Sequence, residues 1–338
     1  MKILVTGGTG FIGSHLVERL SLEGHTARVL VLKKDPQVDM HPERAQEIFN
    51  MLRKVNAELC YGNLLDTRSL DIALRDIDVV FHLAAIARPM AIPKQEYFDV
   101  NETGTRNLLE ACSKLKLKKI IVMSSVSAVG PSRDGKPVNE ETTPNPIDTY
   151  GESKLAGEKV AHDYLKKGLP IVILRPPMVY GPRDYEMLRL FKAVKKRFFP
   201  IKGSSIPNLE FSFVGNIVEG CVRAWKKGNI GETYHLTDAN HYTISQIISA
   251  IEKAENTRVR NIKFPDWSFK VAGFFMELLG KAFNFRPPFN RETIVWMSEK
   301  YWYSDPRKAV KYLGYKNFIT LEDGARKTVE WYSRHRLL

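Results

Sequence analysis

The stretch Ile3-Leu4-Val5-Thr6-Gly7-Gly8-Thr9-Gly10-Phe11-Ile12-Gly13 constrains this chain more than any other. An apolar run predicts a strand over Ile3–Thr6, and the periodicity of Phe11–Leu22 predicts a helix directly after it. Gly7 and Gly10 permit a tight turn and a close backbone approach to a pyrophosphate. Gly13 lets the helix press against the strand, and the helix N-terminus offers N–H donors and the positive end of its dipole. Gly7, Gly10, Phe11, Ile12 and Gly13 are therefore the expected phosphate-side residues. A glycine-rich turn without a ligand is the competing reading. The position of the motif, opening a βαβ unit after an N-terminal strand, counts against it.

The pattern downstream supports such a unit. Apolar, β-rich runs at Arg28–Leu32, Glu58–Tyr61, Val79–Leu83, Lys119–Ser124 and Ile171–Arg175 predict further strands. Helical patterns at His41–Val55, Ser69–Leu74, Tyr97–Leu115 and Thr149–Lys167 lie between them. Strands that read as continuous apolar blocks belong to parallel sheets covered on both faces. Alternation with helices makes right-handed crossovers the expected connection. The predicted fold class is α/β, a Rossmann-type doubly wound parallel sheet with a smaller, mainly helical C-terminal substrate lobe. Residues 1–175 are the expected dinucleotide-binding domain, with return segments near 211–240; residues 176–210 and 241–338 form the expected substrate lobe. Pro176, Pro177 and Pro182 read as a loop. Short strands are predicted at Glu210–Val214, Glu232–Leu236 and Arg258–Phe264, and helices at Asn216–Trp225, Thr243–Ala254, Trp267–Phe285, Asp305–Leu313 and Leu321–Tyr332.

Composition narrows the class. The 338 residues are 43% hydrophobic and 10% aromatic, enough apolar material to offset chain entropy. No secretory signal is expected, because the apolar start breaks into glycine after three residues. The longest apolar stretch, Ser268–Phe285, carries Lys270, Glu277 and Lys281, so no spanning helix is expected. Cys60, Cys112 and Cys221 are far apart and match neither zinc spacing nor a disulfide framework, which fits a reducing cytoplasm. The histidines give no metal site; His235 and His241 are isolated, and His82 reads as a packed strand-end residue. Fifty-one basic against 38 acidic residues give a net charge of +13. The bases are scattered, with no nucleic-acid module, so they read as solvated surface that also attracts an anionic cofactor.

The end of the second strand bears on which nicotinamide cofactor would bind. An acidic side chain there would bind the ribose 2′-hydroxyl of NAD, whereas a 2′-phosphate wants cations. Here Val31 is uncharged and Lys33 and Lys34 follow, which favours NADP over NAD. Two lysines that merely face water are the alternative. Asn63 and Leu64, after the third strand, are candidates for the adenine edge, or simply a turn.

Tyr150 and Lys154 stand four residues apart on one helical face. An ammonium beside a phenol favours the phenolate, so the tyrosine can exchange a proton with an alcohol or carbonyl. Upstream, Ile121-Val122-Met123-Ser124-Ser125-Val126-Ser127 places hydroxyls at the carboxyl end of a strand, where open parallel sheets bind ligands.

With these motifs the chain resembles the extended short-chain dehydrogenase/reductases of the NAD-dependent epimerase/dehydratase superfamily. Also in family order are Phe81-His82-Leu83-Ala84-Ala85, Val100-Asn101-Glu102-Thr103-Gly104-Thr105 and Leu174-Arg175-Pro176-Pro177-Met178-Val179-Tyr180-Gly181-Pro182. The resemblance implies that Tyr150 is the catalytic acid/base, tuned by Lys154, which also binds the nicotinamide ribose. It makes Ser125 the catalytic hydroxyl, with Ser124 as fallback. Asn101 matches the helix asparagine near the site, in a catalytic or a structural role. Ala84 and Ala85 would line the cofactor, and Pro177 and Met178 would approach the nicotinamide. A homodimer through helices such as Tyr97–Leu115 and Thr149–Lys167 is also implied.

Within the superfamily, dehydratases carry an Asp-Glu pair where this chain has Val126 and Ser127, which disfavours dehydration. Nucleotide-sugar epimerases usually place an arginine before the strand that feeds the late helix. The corresponding segment, Pro207-Asn208-Leu209-Glu210-Phe211-Ser212-Phe213-Val214-Gly215-Asn216, lacks it, and Glu210 would repel a diphosphate if it pointed into the pocket. The Phe-x-x-Val-x-Asn run instead resembles the 3β-hydroxysteroid dehydrogenase branch, and Ser125 through Gly130-Pro131 resembles that branch and the dihydroflavonol-reductase-like enzymes. Tyr180-Gly181-Pro182-Arg183-Asp184 resembles sugar epimerases, with Arg183 as a candidate phosphate ligand. The Trp267–Phe285 pattern reads as a greasy lid over an apolar substrate, a membrane-interface helix that leaves peripheral membrane contact open, or an ordinary packed helix. The expected activity is NAD(P)-dependent interconversion of a secondary alcohol and a ketone on a small lipid-like or alicyclic substrate. The alternatives are an NAD-dependent nucleotide-sugar epimerase and a non-catalytic cofactor-binding regulator.

Overall fold

The computed structural model describes residues 1–33, 42–87, 92–202, 208–238, 241–265 and 299–338, with 268 and 271. Lys34 and, apart from Ser268 and Val271, the Trp267–Phe285 segment lie outside the described residues.

Seven strands form one parallel sheet: β1 (Lys2–Thr6), β2 (Thr26–Val31), β3 (Glu58–Tyr61), β4 (Val79–His82), β5 (Lys119–Met123), β6 (Ile171–Arg175) and, arriving late in the chain, β11 (Thr233–His235). Their spatial order is β3-β2-β1-β4-β5-β6-β11. The parallel, doubly wound sheet expected from the apolar blocks is the one found. Alternate residues of each strand enter opposite layers, as the two-residue period of a strand requires. Ile3, Val5, Val29, Phe81 and Ile121 belong to one core cluster, and Leu4, Leu30, Val80, Ile120 and Ile173 to the other. The first cluster continues into the C-terminal part of the chain through Phe191, Phe211, Tyr315 and Tyr332, which ties the later elements to the sheet.

The chain fills the sheet outward from β1 in one direction, then returns to β4 and fills the other. The crevice at this reversal lies outside the carboxyl ends of β1 and β4, where doubly wound sheets bind ligands. The turn Gly7–Gly10 and the residues Leu83–Ala85 flank it.

Three elements escape the sequence pattern. The Pro176-Pro177 segment leads at once into β7 (Met178–Tyr180), which pairs in parallel with β10 (Phe211–Phe213). A helix at Leu188–Lys195 and β8 (Phe198–Lys202) also form, and β8 pairs with β13 (Arg260–Phe264). Strands this short, with prolines in or beside them, carry too few residues to show a period. The helical stretch Tyr97–Leu115 is in fact three pieces: Lys94–Phe98, a π-helical turn Asp99–Thr103, and Gly104–Ser113. No helix among the described residues is long and apolar enough to cross a membrane.

One buried ion pair fastens the helix Thr149–Lys166 to the sheet. Arg175, the last residue of β6, donates through Nε and Nη2 to the two carboxylate oxygens of Glu158 at 2.8 and 2.6 Å. Both side chains are almost wholly buried, so each charge depends on the other for solvation. Glu158→Leu alone should destabilise the fold by about 3–5 kcal/mol by stranding the guanidinium, and adding Arg175→Met should recover much of that loss. Urea unfolding of the two single variants and the double variant measures both effects.

Candidate active site

The glycine turn is shaped for an anion. Gly7 has φ +71°, and its carbonyl accepts from Gly10 N at 2.9 Å. A Cβ on Gly13 would sit 2.0 Å from that same carbonyl oxygen, and one on Gly7 would sit 2.7 Å from Ala84 N. Side chains at these places would push the helix off the turn and the turn off the end of β4. The helix Phe11–Leu22 starts at Gly10 with no side-chain cap and no acid in its first turn, so its leading N–H groups remain available to a phosphate. Phe11 and Ile12 are half-buried on the core side of this first turn. The residues present thus fit a dinucleotide pyrophosphate.

Other expected cofactor contacts are placed unevenly around the crevice. Ala84 and Ala85 are half-buried past the end of β4, and Ala84 N donates to Thr6 Oγ1. Lys33 is exposed just past β2. Asn63 is exposed, and its Oδ1 accepts from Leu65 N at 3.0 Å, which leaves its amide nitrogen and a second lone pair on that oxygen for a ligand. The Leu64 side chain is buried against Gly104, so only its backbone can face an adenine. Pro177 is buried and Met178 half-buried where β7 begins.

The catalytic candidates converge because one helix is pressed unusually close to its neighbours. A Cβ on Gly151 would lie 2.4 Å from Ser127 O, and one on Gly157 would lie 2.5 Å from Asn101 O. Asp148 caps this helix, its Oδ1 accepting from Gly151 N at 2.6 Å. Tyr150 therefore stands in a capped first turn beside the serine segment. Lys154, one turn on, donates to Met123 O at 2.6 Å. Burial pushes its ammonium down to about 8, against the pull of Glu158 upward.

The two serines do different things. Ser125 is buried and extended (φ −159°), and its Oγ accepts from Ser127 N at 3.1 Å, capping the short turn Val126–Ala128. That bond uses a lone pair and leaves the hydroxyl proton for a ligand oxygen. Ser124 is also buried, and its Oγ has no hydrogen-bond partner. It lines a small enclosed space with Lys154, His82, Asn101, Thr105 and Glu158. Asn101 sits in the π-turn with its amide fully used: Oδ1 accepts from Ile86 N, and Nδ2 donates to Ile86 O and Ser153 Oγ. Its side chain braces the site rather than reaching into it.

Two substrate-side residues lie elsewhere than the sequence suggested. Arg183 donates to Ser14 Oγ and to Glu18 Oε2, both on the first helix, so it is turned away from a substrate phosphate. Glu210 does not point into the pocket. It is 3% exposed and accepts from the backbone N–H and hydroxyl of Ser304. Burial pushes its carboxyl up to about 7, while the Ser304 hydrogen bonds pull it down. Sequence reasoning missed Ser153, Thr105 and the full role of His82. Their polar contacts join residues far apart in the chain, and the motifs 81–85, 100–105 and 150–154 contain them without showing those contacts.

Known proteins fall on both sides of the substrate question. The chain is 32% identical over 282 residues to the Bacillus subtilis (strain 168) protein named uncharacterized UDP-glucose epimerase YtcB, covering 81% of this chain and 87% of that one. It is 27% identical to the sterol-4-alpha-carboxylate 3-dehydrogenase, decarboxylating, of Mus musculus, covering 99% of this chain and 92% of that one. Among solved structures, the UDP-glucuronic acid 4-epimerase of Bacillus cereus in complex with UDP-glucuronic acid and NAD superposes with a TM-score of 0.78 at 29% identity, covering 99% of this chain and 100% of the other. The profile of the NAD dependent epimerase/dehydratase family matches residues 3–237. A match running from the first strand of the sheet through the last admits one conclusion: the chain is an NAD-dependent enzyme of the epimerase/dehydratase family.

Proposed function

We propose that this enzyme interconverts a secondary alcohol and a ketone on a small lipid-like or alicyclic substrate, with net consumption of its nicotinamide cofactor. One observation carries the substrate class: neither cation required by a sugar-nucleotide reading is available among the described residues. The segment 207–216 lacks the arginine that epimerases usually have there, and Arg183 is engaged by Glu18 and Ser14.

Gly7, Gly10, Gly13 and the first turn of the following helix would hold the pyrophosphate, and Lys154 the nicotinamide ribose. When bound, the nicotinamide supplies or takes up a hydride. In the reducing direction Tyr150 gives its hydroxyl proton to the carbonyl oxygen, and in the oxidising direction it takes that proton back. Ser125 donates its free hydroxyl proton to the same oxygen and holds it as charge develops. The ammonium of Lys154, fixed against Met123 O, stabilises the phenolate left on Tyr150. Asn101, through Ser153, keeps the helix that carries both residues in register.

The second reading is epimerisation, in which the same groups serve and the hydride returns to the opposite face. It is supported by the similarity to the protein named as a UDP-glucose epimerase. The two readings separate by the near-ultraviolet absorbance of reduced nicotinamide. Incubation with a 3β-hydroxysteroid or a cycloalkanol and oxidised cofactor should raise it. No change with these alcohols, together with conversion of UDP-glucose, would install the epimerase. In whichever assay shows turnover, Tyr150→Phe should lower the rate by about 10²-fold or more, and near-normal turnover would remove Tyr150 from its role. Lys33 and Lys34 favour NADP, so replacing both with alanine should weaken NADP more than NAD in fluorescence titrations. At least equal preference of the unaltered protein for NAD would reverse that assignment.

A further inference from the structure

His82 ends β4 with its ring buried between the glycine-turn strand and the π-turn, and both ring nitrogens are engaged. Nδ1 lies 2.8 Å from Thr6 Oγ1, and Nε2 lies 2.9 Å from Thr105 Oγ1. The remaining bonds fix which nitrogen carries the proton. Thr105 Oγ1 spends its only proton on Asn101 O at 2.7 Å, so it must accept from His82, and Nε2 is the protonated nitrogen. On the other side, Thr6 Oγ1 accepts from Ala84 N at 3.2 Å and gives its own proton to the bare Nδ1. Burial, and secondarily Lys154, push the imidazole down to about 3, consistent with one neutral tautomer.

The line continues. From the residue whose carbonyl Thr105 engages, the side-chain nitrogen Asn101 Nδ2 donates to Ser153 Oγ at 2.9 Å, and Ser153 Oγ donates to Tyr150 O at 2.8 Å. Ala84, Thr6, His82, Thr105, Asn101, Ser153 and Tyr150 are thus joined by hydrogen bonds with compatible donors and acceptors at every step. One end is the floor against which the glycine turn packs. The other is the first turn of the helix carrying Tyr150 and Lys154.

We propose that His82 is a positioning residue that transmits seating of the nicotinamide cofactor from the floor of the nucleotide crevice to the π-turn and the Tyr150 helix. The Thr6 contact is the cofactor arm and the Thr105 contact the helix arm. The inference rests on reading the glycine turn as the cofactor cradle, and that reading is tested separately by whether the unaltered protein binds NADH or NADPH.

Two near-isosteric variants cut one arm each. The side-chain oxygen of His82→Asn falls near the Nδ1 place and keeps the Thr6 bond while losing Thr105. The side-chain nitrogen of His82→Gln falls near the Nε2 place and keeps Thr105 while losing Thr6. The probes are NADH fluorescence titration and hydrogen-exchange mass spectrometry of residues 99–105, with and without NADH. In the unaltered protein, NADH should slow exchange in that segment. His82→Gln should raise the Kd for NADH about tenfold, the scale of a buried hydrogen bond lost at a binding floor, with exchange of 99–105 unchanged in the free protein. His82→Asn should keep its Kd within about twofold, yet exchange faster over 99–105 and lose the slowing by NADH. Thr105→Val should reproduce the His82→Asn pattern, and Thr105→Ser should restore the original one. Histidine variants matching the unaltered protein in both readouts, or altering both readouts equally, would overturn the proposal. If the histidine variants do not fold, a Thr105→Val protein in which NADH still slows exchange of 99–105 would overturn it as well. Failure of the unaltered protein to bind both NADH and NADPH would instead strike the cradle reading.

Discussion

The site depends on how closely the helix Thr149–Lys166 can approach two backbone segments. Gly151 and Gly157 meet Ser127 O and Asn101 O at distances no Cβ could tolerate. That approach puts Lys154 within 2.6 Å of Met123 O and sets Tyr150 beside the serine turn. A helix standing off by the width of a methyl group would leave the ammonium in water, where it would influence a phenol weakly. Backbone contact is therefore the origin of the chemistry.

Close packing creates a charge problem that the structure meets with paired groups. Lys154 loses hydration and its ammonium becomes easier to deprotonate, while Glu158, one turn further along, pulls in the opposite direction. Glu158 itself is held by two hydrogen bonds from Arg175, whose Nη1 also lies 3.3 Å from His235 Nε2. The cation at the end of β6 thus keeps a carboxylate buried near Lys154, and the same pair anchors the helix to the sheet. Stability and electrostatics share one contact.

The substrate side is organised by different priorities. Arg183, His15 and Pro182 interlock with the first helix, since His15 Nε2 lies 2.8 Å from Pro182 O and Arg183 reaches Ser14 and Glu18. Tyr332 of the last helix donates to Asp184 O at 2.5 Å. Groups that could have served a diphosphate are used instead to fasten the C-terminal elements to the helix above the pyrophosphate turn. Glu210 is likewise committed to Ser304, which joins β10 to the segment before the penultimate helix. The alcohol–ketone reading and the structural use of these side chains have the same source.

The parallel sheet, the glycine turn and the Tyr150–Lys154 spacing were legible in the sequence because each is local. An apolar run, four glycines within seven residues, and a four-residue step along a helix are set by short-range sterics and periodicity. Polar partners were not legible in the same way. Glu210 reads as a pocket acid, Arg183 as a phosphate ligand and His82 as a packed strand end until their contacts with Ser304, Glu18, Thr6 and Thr105 are known. The strand Met178–Tyr180 was similarly hidden, because three residues show no period and its stability comes from pairing with Phe211–Phe213. By itself, then, the sequence determined the architecture and the local motifs that flank the crevice. The tertiary structure alone decided where each buried polar side chain spends its hydrogen bonds, because a desolvated donor or acceptor must find a partner wherever the fold supplies one, however distant in the chain.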